Sequence, residues 1–282
     1  VRVLVTGAGG QVGRELQHAF ADHEVVAADH GRLDVTEREA VLACVTSTRP
    51  DAVVHAAAWT AVDACESDPE RALAVNGLAT RHVAEAARRV GAHLCYLSTD
   101  YVFDGTKPEP YTEWDPPNPQ SAYGRSKLAG EHEADQSPDS TIVRLSWVCG
   151  RHGSNMVKTI LRLAGEHERL RFVDDQRGHP TFAGDAAPVI RRLVAERRPG
   201  RFHVTNQGAV TWYEFARAVL EAAGLDPERV QPVATADLDP PRPAPRPANS
   251  VLDNLALRRS GIALLPHYRA SLDRLVAELT DR

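Results

Sequence analysis

The chain has 282 residues, with 33 Lys and Arg against 38 Asp and Glu, so its formal charge is −5. That balance argues against nucleic acid or an anionic membrane surface as the main partner, since either calls for a basic face. A hydrophobic share of 43% with 25% charged residues is that of an ordinary globular chain and excludes a disordered one.

The longest nearly apolar stretch, residues 53–59, is far too short to span a membrane, and the first residues read as a strand and not as a signal peptide. The cytoplasm is therefore the expected location. Four cysteines, Cys44, Cys65, Cys95 and Cys149, lack any Cys-x-x-Cys spacing, so free thiols are expected in place of a disulfide framework or a zinc site. Lysine is scarce: Lys107, Lys127 and Lys158 are the three, and the other thirty basic residues are arginine.

In chain order, apolar β-rich runs alternate with longer segments of helical period. Strands are predicted over 2–5, 24–28, 52–55, 93–98 and 140–147, and helices over 12–21, 37–46, 69–90 and 123–134. A loop over 104–120, rich in Pro, Asp and Asn, exceeds a simple connector and is expected near a site. Later segments are shorter: helices over 155–164, 185–196 and 213–223, strands over 170–173 and 202–204. This alternation predicts an α/β fold, a doubly wound Rossmann-type parallel sheet over 1–148 completed by about 178–205. Residues 149–177 and 206–282 then form a smaller C-terminal domain that binds substrate. The stretch 239–247 holds five prolines and cannot be regular; it is either a linker or a loop that covers a ligand.

Three features carry chemistry. The first is Gly7-Ala-Gly9-Gly10-Gln11-Val12-Gly13 between the first strand and helix, where bare backbone can approach a pyrophosphate and the free amides of a helix start attract it. Its glycines follow Gly-x-x-Gly-x-x-Gly spacing at 7, 10 and 13. At the end of the second strand, Asp29 can bind ribose hydroxyls, which favours NADH, whereas Arg32 can balance a 2′-phosphate, which favours NADPH. Both cofactors remain open at this level, and both residues can also be read as turn residues.

The second feature is Tyr123 and Lys127, four apart and so on one helical face. A phenol titrates near about 10, and a neighbouring ammonium lowers that value, which suits proton exchange at neutral pH. The bland alternative is an exposed i,i+4 contact, and the scarcity of lysine weighs against it. The third is Ser98 and Thr99 at the carboxyl end of the fourth strand, where doubly wound folds bind ligand.

Together these residues resemble the extended short-chain dehydrogenase/reductases, and within them the dTDP-4-dehydrorhamnose reductase family. The resemblance spans nearly the whole chain: GAGGQVG (7–13), HAAAWTAVDACES (55–67) through VNG (75–77), STDYVFDG (98–105), YGRSKLAGE (123–131), RLSWVCG (144–150), DQRGHPT (175–181) and RPANS (246–250). It implies Tyr123 as proton donor to a sugar C4 oxygen, Lys127 as its partner and ribose ligand, and Thr99 as the hydroxyl that orients the ketone.

It further implies that NADPH or NADH is held by Gly7, Gly10, Gln11, Val12, Gly13, Asp29, Arg32, Asp34, Ala56, Ala57, Ala58, Asn76 and Ser98, besides Tyr123 and Lys127. The substrate, a dTDP-linked 4-keto-6-deoxy-L-hexose, would meet Thr99, Asp100, Trp147, Asn155 and Arg246, the last of these turning the proline-rich stretch into a lid or clamp. No metal is implied, and a homodimer is compatible with the family. Two positions depart from the pattern: Cys149 stands where tyrosine is common, and His55 where asparagine is.

The expected reaction is reduction of dTDP-4-dehydro-L-rhamnose to dTDP-L-rhamnose. The alternatives are a 4-ketoreductase of another deoxysugar, an NAD-retaining epimerase or dehydratase, and a non-catalytic regulatory subunit. Elimination of water would need an acid pair after the threonine, and Thr99 is followed by Asp100-Tyr101.

Overall fold

The computed structural model describes residues 1–280. Six strands, β1 (Arg2–Thr6), β2 (Glu24–Ala28), β3 (Ala52–His55), β4 (His93–Thr99), β5 (Ser140–Leu145) and β6 (Gly200–His203), form one parallel sheet in the order 6-5-4-3-1-2. All seven residues of β4 are buried, as expected of a central parallel strand covered on both faces. On one face Val3, Val5, Cys95, Leu97 and Val143 pack with Leu16 and Ile190, from the helices Gln11–Ala19 and Ala183–Ala195. On the other, Leu4, Val53, Leu94 and Ile142 pack with Val41 and Val83, from Arg38–Thr48 and Ala79–Val90.

A separate core gathers Ile160, Phe215 and Leu272 from the helices Met156–Glu166, Trp212–Ala222 and Tyr268–Thr280. The strand Leu170–Val173 pairs in parallel with Val230–Val233 beside it. Neither Val230–Val233 nor Tyr268–Thr280 belongs to the elements expected from sequence: the first carries a proline, whereas the second does place Tyr268, Leu272, Leu275 and Val276 on one helical face. The helix Trp212–Ala222 starts on a reciprocal cap between Thr211 and Glu214, a device worth about 1 kcal/mol.

Two predicted elements change form where they approach the cleft. The helix expected over 69–90 is interrupted by a wide π turn at Leu73–Leu78, between Pro69–Ala72 and Ala79–Val90. Its cause lies in Asn76, whose carboxamide bonds both backbone groups of Trp59 at 2.8 and 3.1 Å, while its carbonyl accepts from Thr80 and Tyr96 hydroxyls. The strand expected over 140–147 ends at Leu145, because Trp147 adopts a φ of 45° and turns the chain out of the sheet.

At the open edge of the sheet, one carboxylate oxygen of Glu113 accepts from the His203 amide of β6 at 3.0 Å and from the Ala256 amide at 3.1 Å. Among the described residues no helix is long and apolar enough to cross a membrane.

Candidate active site

The strand order reverses between β1 and β3, and a cleft of about 400 Å³ opens at the carboxyl ends of these strands. One wall is the glycine loop. A Cβ on Gly7 would lie 2.5 Å from the Ala57 nitrogen, and one on Gly13 would lie 2.2 Å from the Gly7 oxygen, so glycine is required at both for the loop to close against β3 and the helix start. Gly7, Gly10, Gln11, Val12 and Gly13 line the cleft together with Ala56, Ala58 and Ser98. That cradle, with its unpaired amides at a helix N-terminus, fits a dinucleotide pyrophosphate. Ala57, Asp29 and Asp34 border an adjoining hollow, and Arg32 borders another with Asp29, Arg14 and His18.

The opposite wall is the helix Ala122–Ala134, whose Tyr123 and Lys127 face β4. Its N-terminus is capped by the Ser121 hydroxyl, which accepts from the Gly124 amide. Gly124 lies so near the chain after β4 that a Cβ there would fall 2.2 Å from the Tyr101 oxygen, which brings Tyr123 down onto the strand end. Tyr123, Thr99 and Lys127 all border the cleft. Burial pushes the Tyr123 phenol above its ordinary range, and the Thr99 hydroxyl partly offsets this by favouring the ionised form. Burial also brings the Lys127 ammonium down to about 7, opposed by the charge of Glu131.

The lysine's direct contacts are with β4 and not with the phenol. Its Nζ donates to the Leu97 carbonyl at 2.6 Å and lies 4.1 Å from the centre of the Tyr96 ring, and burial, not the ammonium, dominates the state of Tyr123. The reason is geometric: the strand end offers Lys127 a carbonyl acceptor closer to hand than the phenol. The i,i+4 spacing is thus a buried arrangement and not an exposed contact.

The remaining residues singled out in the sequence fall into two groups. Asp100 is buried at the cleft floor, accepting from Thr99 at 3.0 Å and Ser146 at 2.8 Å, and burial raises its pKa. Trp147 lines the cleft. Asn76 is fully buried behind the wall, with its carboxamide engaged by Trp59 and Ser126. Asn155 caps the helix Met156–Glu166 and donates to Gln11 at 3.0 Å and to the Gly150 carbonyl at 2.7 Å.

Arg246 forms a two-pronged pair with Asp63 at 2.5 and 2.8 Å, and the Ala244 amide donates to the same carboxylate. The Arg246 bond is the main reason the Asp63 carboxyl is held below its usual range. The proline-rich segment is thereby tied to the helix Val62–Ser67 at the rim of the cleft.

Two features of the site lie outside the residues expected from sequence. Trp212 lines the cleft and stacks on Trp147, with ring centres 3.5 Å apart and 8° between planes. The stack needs Gly178, since a Cβ there would meet the Trp147 indole at 2.6 Å. Glu131 and Arg144 form a wholly enclosed ion pair behind Ser98. A charged residue inside the buried run of β5 was the one available hint of it.

A dinucleotide cradle at the switch point of a parallel sheet, facing a helix that presents Tyr and Lys one turn apart beside a strand-end Thr, defines an extended short-chain dehydrogenase/reductase. The chain matches the family described as RmlD substrate binding domain over residues 1–281. It is 42% identical over 290 residues to a dTDP-4-dehydrorhamnose reductase of Streptomyces griseus, covering 100% of this chain and 95% of that one. It is also 41% identical over 280 residues to a dTDP-4-keto-6-deoxy-D-glucose reductase of Streptomyces niveus, covering 96% and 95%. A crystal structure of a dTDP-4-dehydrorhamnose reductase from Bacillus anthracis in complex with NADP superposes with a TM-score of 0.94, at 38% identity over 98% of this chain and 99% of that one. The chain belongs to the dTDP-4-dehydrorhamnose reductase family.

Proposed function

We propose that this protein uses NADPH to reduce the C4 ketone of dTDP-4-dehydro-L-rhamnose, giving dTDP-L-rhamnose. The observation that carries the proposal is the convergence of Tyr123, Thr99 and Lys127 on one cleft opposite the Gly7–Gly13 cradle. NADPH, when bound, supplies the hydride. The chain supplies the proton and the geometry.

Tyr123 is the proton donor: burial keeps its phenol neutral and loaded until the C4 oxygen gains charge. Thr99, whose hydroxyl donates to Asp100 at 3.0 Å, orients the ketone once that proton is turned from the carboxylate to the C4 oxygen. Lys127 contributes a cationic field and a donor for ribose hydroxyls. Trp147 and Trp212 form an apolar wall suited to the deoxygenated side of the sugar. Arg14 and Arg32, beside Asp29, supply positive charge suited to a 2′-phosphate, which supports NADPH over NADH. Arg246 is positioned to exchange Asp63 for the substrate diphosphate, since a guanidinium fork suits both.

The test is to mix the protein with NADPH and enzymatically prepared dTDP-4-dehydro-L-rhamnose. Loss of reduced nicotinamide absorbance and a product with rhamno configuration by NMR are expected. No oxidation of NADPH would reject the assignment, and a product with the epimeric C4 configuration would point to a related deoxysugar reductase.

A further inference from the structure

Tyr123, Lys127 and Glu131 are spaced i, i+4 and i+8, so they share one face of the helix Ala122–Ala134. That face is tied to the end of β4 at successive points. Lys127 donates to the Leu97 carbonyl at 2.6 Å, and the Ser98 hydroxyl donates to Glu131 Oε1 at 2.6 Å. Glu131 is in turn gripped from β5 by Arg144, with Nε at 2.8 Å from Oε1 and Nη2 at 2.7 Å from Oε2. Both side chains of this pair are 1% exposed, and the guanidinium lies over the Phe103 ring at 5.0 Å. An ion pair so fully desolvated is no general aid to stability, because apolar residues of the same volume do as well or better. Its place behind Ser98 and below Lys127 calls for another account.

We propose that Glu131 is a positioning residue for proton delivery: balanced by Arg144, its carboxylate is the buried negative charge that holds the Lys127 side chain as an ammonium and fixes Ser98 against the helix. The proposal rests on the reading of Tyr123 and Lys127 given above. A buried ammonium with no counter-charge would shed its proton.

The surrounding groups leave that task to Glu131. Burial keeps Tyr96 and Tyr123 as neutral phenols and Cys65 as a thiol, and it keeps His55 on β3 and His203 on β6 as neutral imidazoles. Arg144 and the Arg201 side chain, 3.8 Å from Glu131, are cations that oppose charge on Lys127. The other nearby carboxylates are engaged elsewhere: Asp100 by Thr99 and Ser146, Glu66 by the Ala122 amide, and Asp135 by Arg201. Glu131, one turn on from Lys127 on the same buried helical face, is the carboxylate left to act on it.

The scarcity of lysine gives a direct test. In protein labelled with 13C at the lysine Cε, three resonances are expected, and Lys127→Arg identifies one of them by its loss. The titration midpoint of Lys127 is then followed by NMR. Glu131→Gln should lower that midpoint by about one pH unit or more, since it removes the attraction and leaves Arg144 unopposed.

The double variant Glu131→Gln, Arg144→Met removes the orphaned guanidinium with an apolar side chain of suitable volume. Its midpoint should lie between those of the single variant and the parent. A role limited to packing would instead return the parent midpoint in the double variant, and that result, or an unchanged midpoint in the folded single variant, overturns the proposal. If the single variant does not fold, the double variant decides. The readout needs neither substrate nor turnover, so a Glu131-dependent midpoint in a protein that fails to oxidise NADPH would reject the reductase reading alone.

Discussion

Two arginine–carboxylate pairs flank the cleft with similar fork geometry and opposite surroundings. Arg144 and Glu131 are sealed inside the β4–β5 wall, each 1% exposed, whereas Arg246 and Asp63 join the proline-rich segment to the rim with 15% and 31% of their side chains exposed. The interior pair has no water to fall back on, so neither member can leave without stranding the other. The rim pair is partly solvated, so on the proposed function Arg246 would trade its carboxylate for a phosphate at little cost, because water screens both states. On the proposed function, identical chemistry would serve as a fixed mount on the side that handles protons and as an exchangeable latch on the side that admits substrate.

The largest effect should come from the fixed side. Tyr123→Phe removes the proton donor alone, and we expect turnover to fall about a hundredfold to ten-thousandfold while the NADPH dissociation constant is kept; near-normal turnover would show that the wall holds the wrong acid. Next is stability. Glu131→Ala strands Arg144 and should lower the unfolding free energy by about 3–5 kcal/mol, against at most about 1 kcal/mol for Asp63→Ala. Equal losses in denaturant titration would erase the distinction between mount and latch.

Arg246→Ala should then raise KM for the nucleotide sugar about tenfold with little change in kcat or in melting temperature, as the loss of one charge-assisted contact to phosphate would. A fall in kcat alone would make Arg246 part of the fixed side.

An effect confined to acid separates the interior from the rim at no cost to activity at neutral pH. His55 and His203 are brought by burial to about 3, and His179 to about 4, all below the ordinary histidine value. The unfolded chain takes up protons below about 6.5 that the folded chain refuses, so their contribution to stability is intact above that pH and is lost as pH falls toward 4 and 3. His55→Asn should reduce the proton uptake on unfolding near pH 5 by about one, seen as a shallower fall of unfolding free energy with pH. An unchanged slope would mean that His55 is charged in the fold.

Much of this was legible in the sequence, for reasons that differ by element. The glycine loop could be read because Gly7 and Gly13 answer to local backbone sterics, and the Tyr123–Lys127 pair because helical period places i and i+4 on one face. Four of the five leading strands were plain because buried parallel strands are continuous apolar runs, and the edge strand β2 because Val25 and Val26 stand between turn residues. What escaped was set by distant partners. Nothing near Asn76 announces that Trp59 will claim its carboxamide and open a π turn, and nothing near Arg246 announces Asp63. Trp212 lies 65 positions from Trp147, and their stack exists only once Gly178 passes beneath it. Lys127 was found by position, yet its acceptor was not, because the Leu97 carbonyl is a backbone atom with no signature of its own.

The Glu113 carboxylate at the margin of β6 has a consequence for how copies of this protein can meet. A bare strand margin is a template on which a neighbouring polypeptide can add itself, rung by rung. With the His203 amide already occupied, and the same oxygen committed to the Ala256 amide in the short helix Leu255–Arg259, that ladder is stoppered there. Growth of the sheet into a neighbour is thus opposed at this border.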